Sequence, residues 1–254
     1  MEIGEKSGKT RTNTLVDKQR NCGYSDYMKI PEQNYREANH DYALRVIKLN
    51  IESLDLKPGS MISEQEIASK LSISRTPVHE ALQELAKTKI VEILPQRGSL
   101  VSFIDMKLVD EACFIRATIE SAVTELVCEK ASQNDIDALE ENIVLQEFYS
   151  QKQNFDKFME FDNAFHRAMY QITDRMLCYY TVQLMNIHHN RFRTLSLQSS
   201  NASRIIKEHR AILEAIRKKD VQKTREEFLH HINITHTDVT EVRQKYPEYF
   251  KAET

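Results

Sequence analysis

Residues 56–104 determine the fold of the N-terminal part of this chain, and they read LKPGSMISEQEIASKLSISRTPVHEALQELAKTKIVEILPQRGSLVSFI. Apolar residues first recur with the 3.6-residue period of two short helices, and then alternate as in strands on both sides of a Pro-Gln-Arg-Gly turn. Two helices joined by a tight turn and followed by a hairpin make a winged helix-turn-helix. The stretch therefore predicts a module that binds double-stranded DNA.

The two predicted helices have clear start signals. The Ser63 hydroxyl can cap the first helix, and Glu66, three residues later, completes the pattern of a capping box. The chain breaks after Leu71, and Ser74 starts the second helix. Pro77 falls in the first turn of that helix, where a missing backbone N–H costs little. The short break lets the second helix fold back across the first.

Five residues are the candidate DNA contacts. Arg75, Thr76 and His79 face outward at the N-terminal end of the second helix, the part of a recognition helix that reaches bases and phosphates. Arg97 and Gly98 lie at the tip of the hairpin, where an arginine suits a phosphate or the minor groove. A glycine is expected there because the turn requires a positive φ angle.

The motifs L-x-P-G, S-R-T-P-V-x-E-A-L and P-x-R-G, in this order, resemble the N-terminal domain of the GntR family of bacterial transcription regulators. The resemblance implies a regulator rather than an enzyme, which binds a pseudo-palindromic DNA operator as a homodimer, with repression the commoner behaviour. Two residues depart from the family pattern: His79 and Glu84 stand where arginines are usual. Both changes remove positive charge from the DNA face, so the operator sequence cannot be transferred from relatives.

Composition restricts the remaining possibilities. The chain of 254 residues has only 5 glycines and 5 prolines, which favours a mainly α-helical fold. It has neither a long apolar run nor a signal peptide, and its 4 cysteines lack metal or disulfide spacing, so we expect a cytoplasmic protein without a membrane partner. Residues 41–104 contain eight basic and eight acidic side chains, so DNA affinity must depend on the placement of charges.

The chain divides into four predicted parts. Residues 1–34 are a flexible extension, 35–104 the winged helix-turn-helix, 105–245 a helical domain for dimerisation and for effector and metal binding, and 246–254 a tail. The helical domain is predicted as an antiparallel all-α bundle of six or seven helices. Its helical patterns cover residues 106–131, 135–152, 154–173, 175–197, 201–218 and 220–245. The sequence lacks nucleotide-binding glycine loops and a G-x-S-x-G elbow.

Four ionisable residues fall on apolar faces of the predicted bundle. Asp162 and His166 are four residues apart, so they project from one helix face a turn apart and can reach one cation. His209 and His231 follow on later helices. Each residue alone is also compatible with a hydrogen-bonded core position. His230, and one of His188 and His189, are predicted to be exposed.

The helical part of the chain resembles the metal-binding effector (FCD) domain of the FadR-type subfamily. The resemblance lies in D-x-x-x-H, then E-H-x-x-I-L-x-A-I, and then a histidine on the last helix. The resemblance implies that Asp162, His166, His209 and His231 ligate a divalent metal ion. Zinc or nickel are favoured, and iron or manganese also fit this ligand set. Arg116 matches the R-x-x-L-E position of the family, although Ile119 replaces the leucine, and this implies a contact with a small carboxylate effector.

Alternatives remain for the helical domain. Arg116 can instead form a salt bridge with Glu120 or Glu111. The leading hypothesis is a regulator that senses a small organic or sugar acid at the metal. One alternative is a sensor in which the cation itself is the effector, and another is a DNA-tethered metal-dependent hydrolase.

Overall fold

We describe a computed structural model of the chain, which covers residues 28–197, 202–233 and 235–252. Most of the predicted N-terminal extension, residues 1–27, lies outside the described residues. Residues 28–34 run along the first helix, where the Asn50 side chain hydrogen-bonds to the backbone N–H and C=O of Lys29. No helix in the described ranges is long and apolar enough to cross a bilayer.

The N-terminal domain is a winged helix-turn-helix, as predicted. Its elements are α1 (Asn39–Glu52), β1 (Met61–Ile62), α2 (Glu64–Leu71), α3 (Arg75–Lys87), β2 (Val91–Leu94) and β3 (Gly98–Val101). Ser63 caps α2 by accepting a hydrogen bond from the Glu66 N–H at 3.3 Å. Gly98 has φ +101°, which confirms the positive φ expected at the hairpin turn.

The sheet of this domain has three strands, whereas the sequence predicts a two-stranded hairpin. The strand order is β1-β3-β2, and β1 pairs antiparallel with β3 through Met61 opposite Leu100. β1 has only two residues, too few to show an alternating pattern, so sequence periodicity could not predict it. The extra strand fixes the wing to the segment that leads into α2.

The rest of the chain is an all-helical bundle, which confirms the predicted fold class. Its helices are α4 (Met106–Lys130), α5 (Gln133–Gln151), α6 (Phe155–Thr173), α7 (Met176–Leu197), α8 (Ala202–Arg217), α9 (Val221–Asn233) and α10 (Thr235–Lys245). Helix α4 packs against α6, α7, α8 and α9, so it lies at the centre of the bundle. The single helix predicted for residues 220–245 is described as α9 and α10, on either side of residue 234, which lies outside the described residues.

Helix α7 joins the two domains. Its Ile187 is part of the apolar core of the winged helix, and polar contacts add to it. Arg191 Nη1 donates to the Ser102 carbonyl at 2.7 Å, and the His188 ring nitrogen Nε2 lies 2.7 Å from the Thr88 carbonyl. At the C-terminus, the backbone of Ile104 pairs with residues 249–251. The DNA-binding domain is therefore held by the same helix that runs through the bundle.

Burial sets the protonation state of His188. Burial, followed by the charge of Arg191, lowers its pKa from 6.5 to about 4, so it is neutral at pH 7. Since folding lowers this pKa, the stabilisation is complete above pH 6.5 and is lost as the pH falls towards 4. In His188→Gln the side chain keeps an N–H donor but cannot titrate. Between pH 7 and pH 4 we expect the free energy of unfolding of wild type to fall by up to about 3 kcal/mol more than that of this variant. Urea denaturation at both pH values measures this, and equal losses would contradict it.

Candidate DNA interface and metal centre

The predicted DNA contacts are all exposed. Arg75, Thr76 and His79 are exposed at the start of α3, and Arg97 and Gly98 are exposed at the tip of the β2–β3 hairpin. The α3 N-terminus and the wing tip are the two places where a winged helix meets a duplex. The geometry is therefore compatible with the predicted roles of these five residues.

A carboxylate on α2 organises this surface, and the sequence reasoning did not identify it. Glu64 Oε2 accepts from Arg75 Nη2 at 3.0 Å, and Glu64 Oε1 lies 2.8 Å from His79 Nδ1. The hydrogen bond with His79, followed by the interactions with Arg75, lowers the pKa of Glu64 although burial opposes the shift. Glu84, the other departure from the family motif, faces His40 of α1 at 3.3 Å.

Three histidines converge inside the bundle from three helices. His166 comes from α6, His209 from α8 and His231 from α9, and one ring nitrogen of each lies within 4.8 Å of the other two. The Nε2 atoms of His166 and His231 are 3.3 Å apart. Asp162, one turn before His166, has Oδ1 3.9 Å from His209 Nε2. The structure thus brings together the four residues that the sequence singled out.

Each imidazole has an oxygen acceptor at its outer nitrogen. His231 Nδ1 lies 2.8 Å from Glu208 Oε2, and His209 Nδ1 lies 2.8 Å from Gln146 Oε1. His166 Nδ1 lies 3.3 Å from Glu120 Oε2, an ion-pair distance without hydrogen-bond alignment. Because oxygen acceptors place the proton on Nδ1 in the hydrogen-bonded rings, the Nε2 lone pairs of these rings point inward.

The electrostatics suit a cation. Burial lowers the pKa of His209 and of His231 well below 6.5, so both rings are neutral at pH 7. Burial raises the pKa of Asp162, but the charge of Arg193 and the interactions with His209, His166 and His231 together outweigh it and hold this pKa well below its usual value. His209 Nε2 and Asp162 Oδ1 are buried without a hydrogen-bond partner among the described residues. Such atoms are costly to bury, and metal coordination would satisfy them.

The donor set fits a divalent metal ion. Ligand atoms around tetrahedral zinc are about 3.3 Å apart, since Zn–N and Zn–O bonds are about 2.0–2.1 Å long. The separations of 3.3 Å between His166 and His231 and of 3.9 Å between His209 and Asp162 are close to that spacing. Neutral imidazoles with outer hydrogen-bond acceptors are the usual form of metal-binding histidine.

Arg116 forms the salt bridge that the sequence offered as the alternative to an effector contact. Its Nε and Nη2 donate to both carboxylate oxygens of Glu120 at 3.1 and 3.0 Å, and Nη1 lies 3.0 Å from His189 Nδ1. Both members of the ion pair are buried. Burial lowers the pKa of Arg116, but the charge of Glu120, the hydrogen bonds to it and the charge of Asp162 act in the opposite direction and the net effect raises this pKa.

The prediction that either His188 or His189 is exposed was wrong, because both are buried. His188 lies at the contact between the domains and His189 contacts Arg116, two environments that the local helix pattern does not reveal. His230 is exposed, as expected.

A small cavity of about 30 Å³ lies beside the histidine cluster. Its lining includes Arg116, His189, Arg193, Arg204, Glu208 and His231. The cavity is therefore rich in cationic side chains and is in contact with one of the three clustered histidines.

The winged helix and the helical domain together define a DNA-binding transcription regulator, and the comparisons with known proteins agree. Residues 43–101 match the family model "Bacterial regulatory proteins, gntR family", and residues 111–233 match that of the FCD domain. The chain is 30% identical to the HTH-type transcriptional repressor RspR of Escherichia coli, over 82% of this chain and 92% of that protein. This chain belongs to the GntR family of transcription regulators, which confirms the predicted family.

Solved structures show the same fold. Escherichia coli McbR/YncC superposes with a TM-score of 0.69 at 21% identity, covering 83% of this chain and 99% of that one. A putative GntR transcriptional regulator from Rhodococcus sp. RHA1 gives a TM-score of 0.67 at 15% identity, covering 81% and 99%. At these identities the likeness concerns the fold alone.

The buried Arg116–Glu120 pair makes a prediction about stability. Glu120→Gln leaves the Arg116 guanidinium buried without its counter-charge, and we expect the free energy of unfolding to fall by about 3–5 kcal/mol. Glu140→Gln, which breaks the exposed pair with Arg217, is the control and should cost about 1 kcal/mol or less. Urea denaturation in the presence of a chelator measures both variants. Equal losses would show that burial of the first pair has no special effect.

Proposed function

We propose that this chain is a ligand-responsive repressor that senses a small organic or sugar acid at a divalent metal ion and binds a pseudo-palindromic operator as a homodimer. The observation that carries the proposal is the position of α7. One face of α7 lines the cavity beside the histidine cluster, through His189 and Arg193. Another face holds the DNA-binding domain, through His188 and Arg191.

The metal ion would be held by Asp162, His166, His209 and His231. When bound, the ion would supply coordination positions that accept a carboxylate group. The cationic lining of the cavity supports an acidic ligand, since Arg116, Arg193 and Arg204 all border it. Two relatives are named as the galactonate operon repressor of Escherichia coli and the gluconate operon repressor of Bacillus subtilis, which supports a sugar acid.

Placement of charge, not its amount, would provide the affinity for DNA. Glu64 holds Arg75 and His79 in fixed positions before DNA arrives, which limits the side-chain entropy lost on binding. Arg97 at the wing tip would contact a phosphate or the minor groove, and Thr76 and Gly98 complete the surface. The acid would act by shifting α7 and with it the DNA-binding domain.

A sensor of the metal alone is the second candidate. The cavity of about 30 Å³ has room for only one or two waters, so an organic acid needs side chains to move before it can enter. Titrating DNA binding with the metal alone, and then with metal plus gluconate or galactonate, separates the two candidates. A response to metal that the acids leave unchanged would favour the metal sensor.

The metal site and the DNA surface are tested by separate substitutions. We expect His209→Ala and His231→Ala to lose bound metal, measured by elemental analysis, because each removes one ligand of the four. Arg75→Ala should keep its metal and bind DNA from the region upstream of its own gene at least about tenfold more weakly. Fluorescence anisotropy measures the second effect. Full metal content in both histidine variants would refute the site.

The homodimer is supported by an apolar face on two neighbouring helices. Phe114 of α4 is 73% exposed, and Leu177, Tyr180 and Leu184 of α7 are 80%, 57% and 58% exposed. Leu177, Tyr180 and Leu184 follow at helical spacing, so they form one stripe. Exposed apolar patches of this kind often mark subunit interfaces.

A charge on this apolar face should separate the protomers. We expect Leu184→Glu to shift the protein from dimer to monomer in sedimentation velocity, because it buries a carboxylate in the interface. Val144→Glu on α5 is the control, since Val144 is similarly exposed, at 50%, outside the face. If Leu184→Glu remains a dimer, the interface lies elsewhere.

A further inference from the structure

The carboxylate of the proposed metal site is held by an arginine from α7. Arg193 Nη2 donates to Oδ2 of Asp162, and both residues are buried. The other oxygen, Oδ1, has no hydrogen-bond partner in the part of the chain that the structure describes and faces the His209 ring nitrogen at 3.9 Å. Arg193 therefore occupies the outer side of the carboxylate and leaves its inner oxygen directed towards the imidazoles.

Arg193 completes a set of outer partners for the four ligands. Glu120 on α4, Gln146 on α5 and Glu208 on α8 face the outer nitrogens of the three histidines. Arg193 on α7 does the same for the carboxylate. Of these four partners, it alone lies on the helix that contacts the DNA-binding domain through the polar contacts described above.

A short hydrogen-bonded path continues from Arg193 to the DNA-binding domain. Arg193 Nη1 donates to Asn190 Oδ1 at 3.2 Å. Asn190 Nδ2 in turn donates to Oε1 of Glu52, the last residue of α1, at 3.0 Å. The Glu52 backbone carbonyl accepts from Thr194 Oγ1 at 2.9 Å, which fixes the same contact a second time. Two side chains thus connect the metal-site carboxylate to α1.

The Arg116 pair contacts the cluster in a different way. Its carboxylate partner Glu120 is not one of the proposed ligands, but it faces Nδ1 of the proposed ligand His166 at 3.3 Å. Arg193, in contrast, donates directly to the proposed ligand Asp162.

We propose that Arg193 is a positioning residue that holds Asp162 for the metal ion and, through Asn190, links an occupied site to Glu52 of the DNA-binding domain. This proposal rests on the metal-centred function proposed above. A dication held by Asp162 and the histidines would draw negative charge away from the oxygen that Arg193 contacts, which would weaken this contact and change how firmly the guanidinium holds Asn190. Metal affinity and DNA affinity are then coupled, and the coupling is reciprocal.

The test is the dissociation constant of Zn²⁺ for the full chain, measured with and without the DNA fragment that wild type binds. In wild type we expect the two constants to differ by about tenfold, a typical coupling between sites. Asn190→Ala removes the acceptor of Arg193 Nη1 and so cuts the path, but it leaves the contact between Arg193 and Asp162 in place. It should keep the zinc affinity of the free protein within about threefold of wild type. The two constants, with and without DNA, should then differ by no more than about twofold.

Two further variants separate positioning from coupling. Gln146→Leu removes the outer partner of His209 on α5, so zinc affinity should fall about 10–100-fold while the ratio stays as in wild type. Arg193→Gln should lower zinc affinity and also bring the ratio of the two zinc dissociation constants close to one. If Arg193→Gln does not fold, Asn190→Ala and Gln146→Leu still decide the question.

Each contrary result is informative. The path through Arg193 would be overturned if Asn190→Ala kept the wild-type ratio of the two zinc dissociation constants. It would also be overturned if Gln146→Leu lost this ratio as fully as Asn190→Ala. In both cases the proposed function would stand. Zinc binding to wild type without any dependence on DNA would overturn the path in the same way. Absence of zinc binding to wild type would overturn both the path and the metal-centred function.

Discussion

Burying a carboxylate and three imidazoles at one point costs free energy, and polar contacts from other helices of the domain offset part of that cost. The outer atoms of these groups are met by Glu120, Gln146, Glu208 and Arg193, each from a different helix. The inner atoms are left facing one another. Protein groups thus face the outside of the cluster, while His209 Nε2 and Asp162 Oδ1 on its inside have no hydrogen-bond partner among the described residues.

Helix α7 contacts both the cluster and the DNA-binding domain. A side chain at the cluster and a side chain at the domain contact are separated by only a few residues on this helix, as Arg193 and Asn190 show. One continuous helix therefore carries both sets of contacts.

The sequence predicted both domains and the four clustered residues because those features depend on local spacing. Helix period, the S-R-T-P motif and the separation of Asp162 from His166 are all visible along the chain. The partners on other helices were missed because they depend on tertiary packing. Gln146 lies three residues after the buried Ile143 and so stands on an apolar face, a signal that could have identified it. Glu208 is the neighbour of His209 in the sequence, and this position could have identified it in the same way.

The proposed ligands lie far apart in the sequence, and their positions determine when the site can form during synthesis of the chain. The first proposed ligand is residue 162 and the last is residue 231, on the ninth of the ten described helices. A nascent chain cannot complete the four-residue site until α9 has left the ribosome and docked against α8. Loading of the proposed metal would therefore follow the docking of α9, after most of the chain has been synthesised.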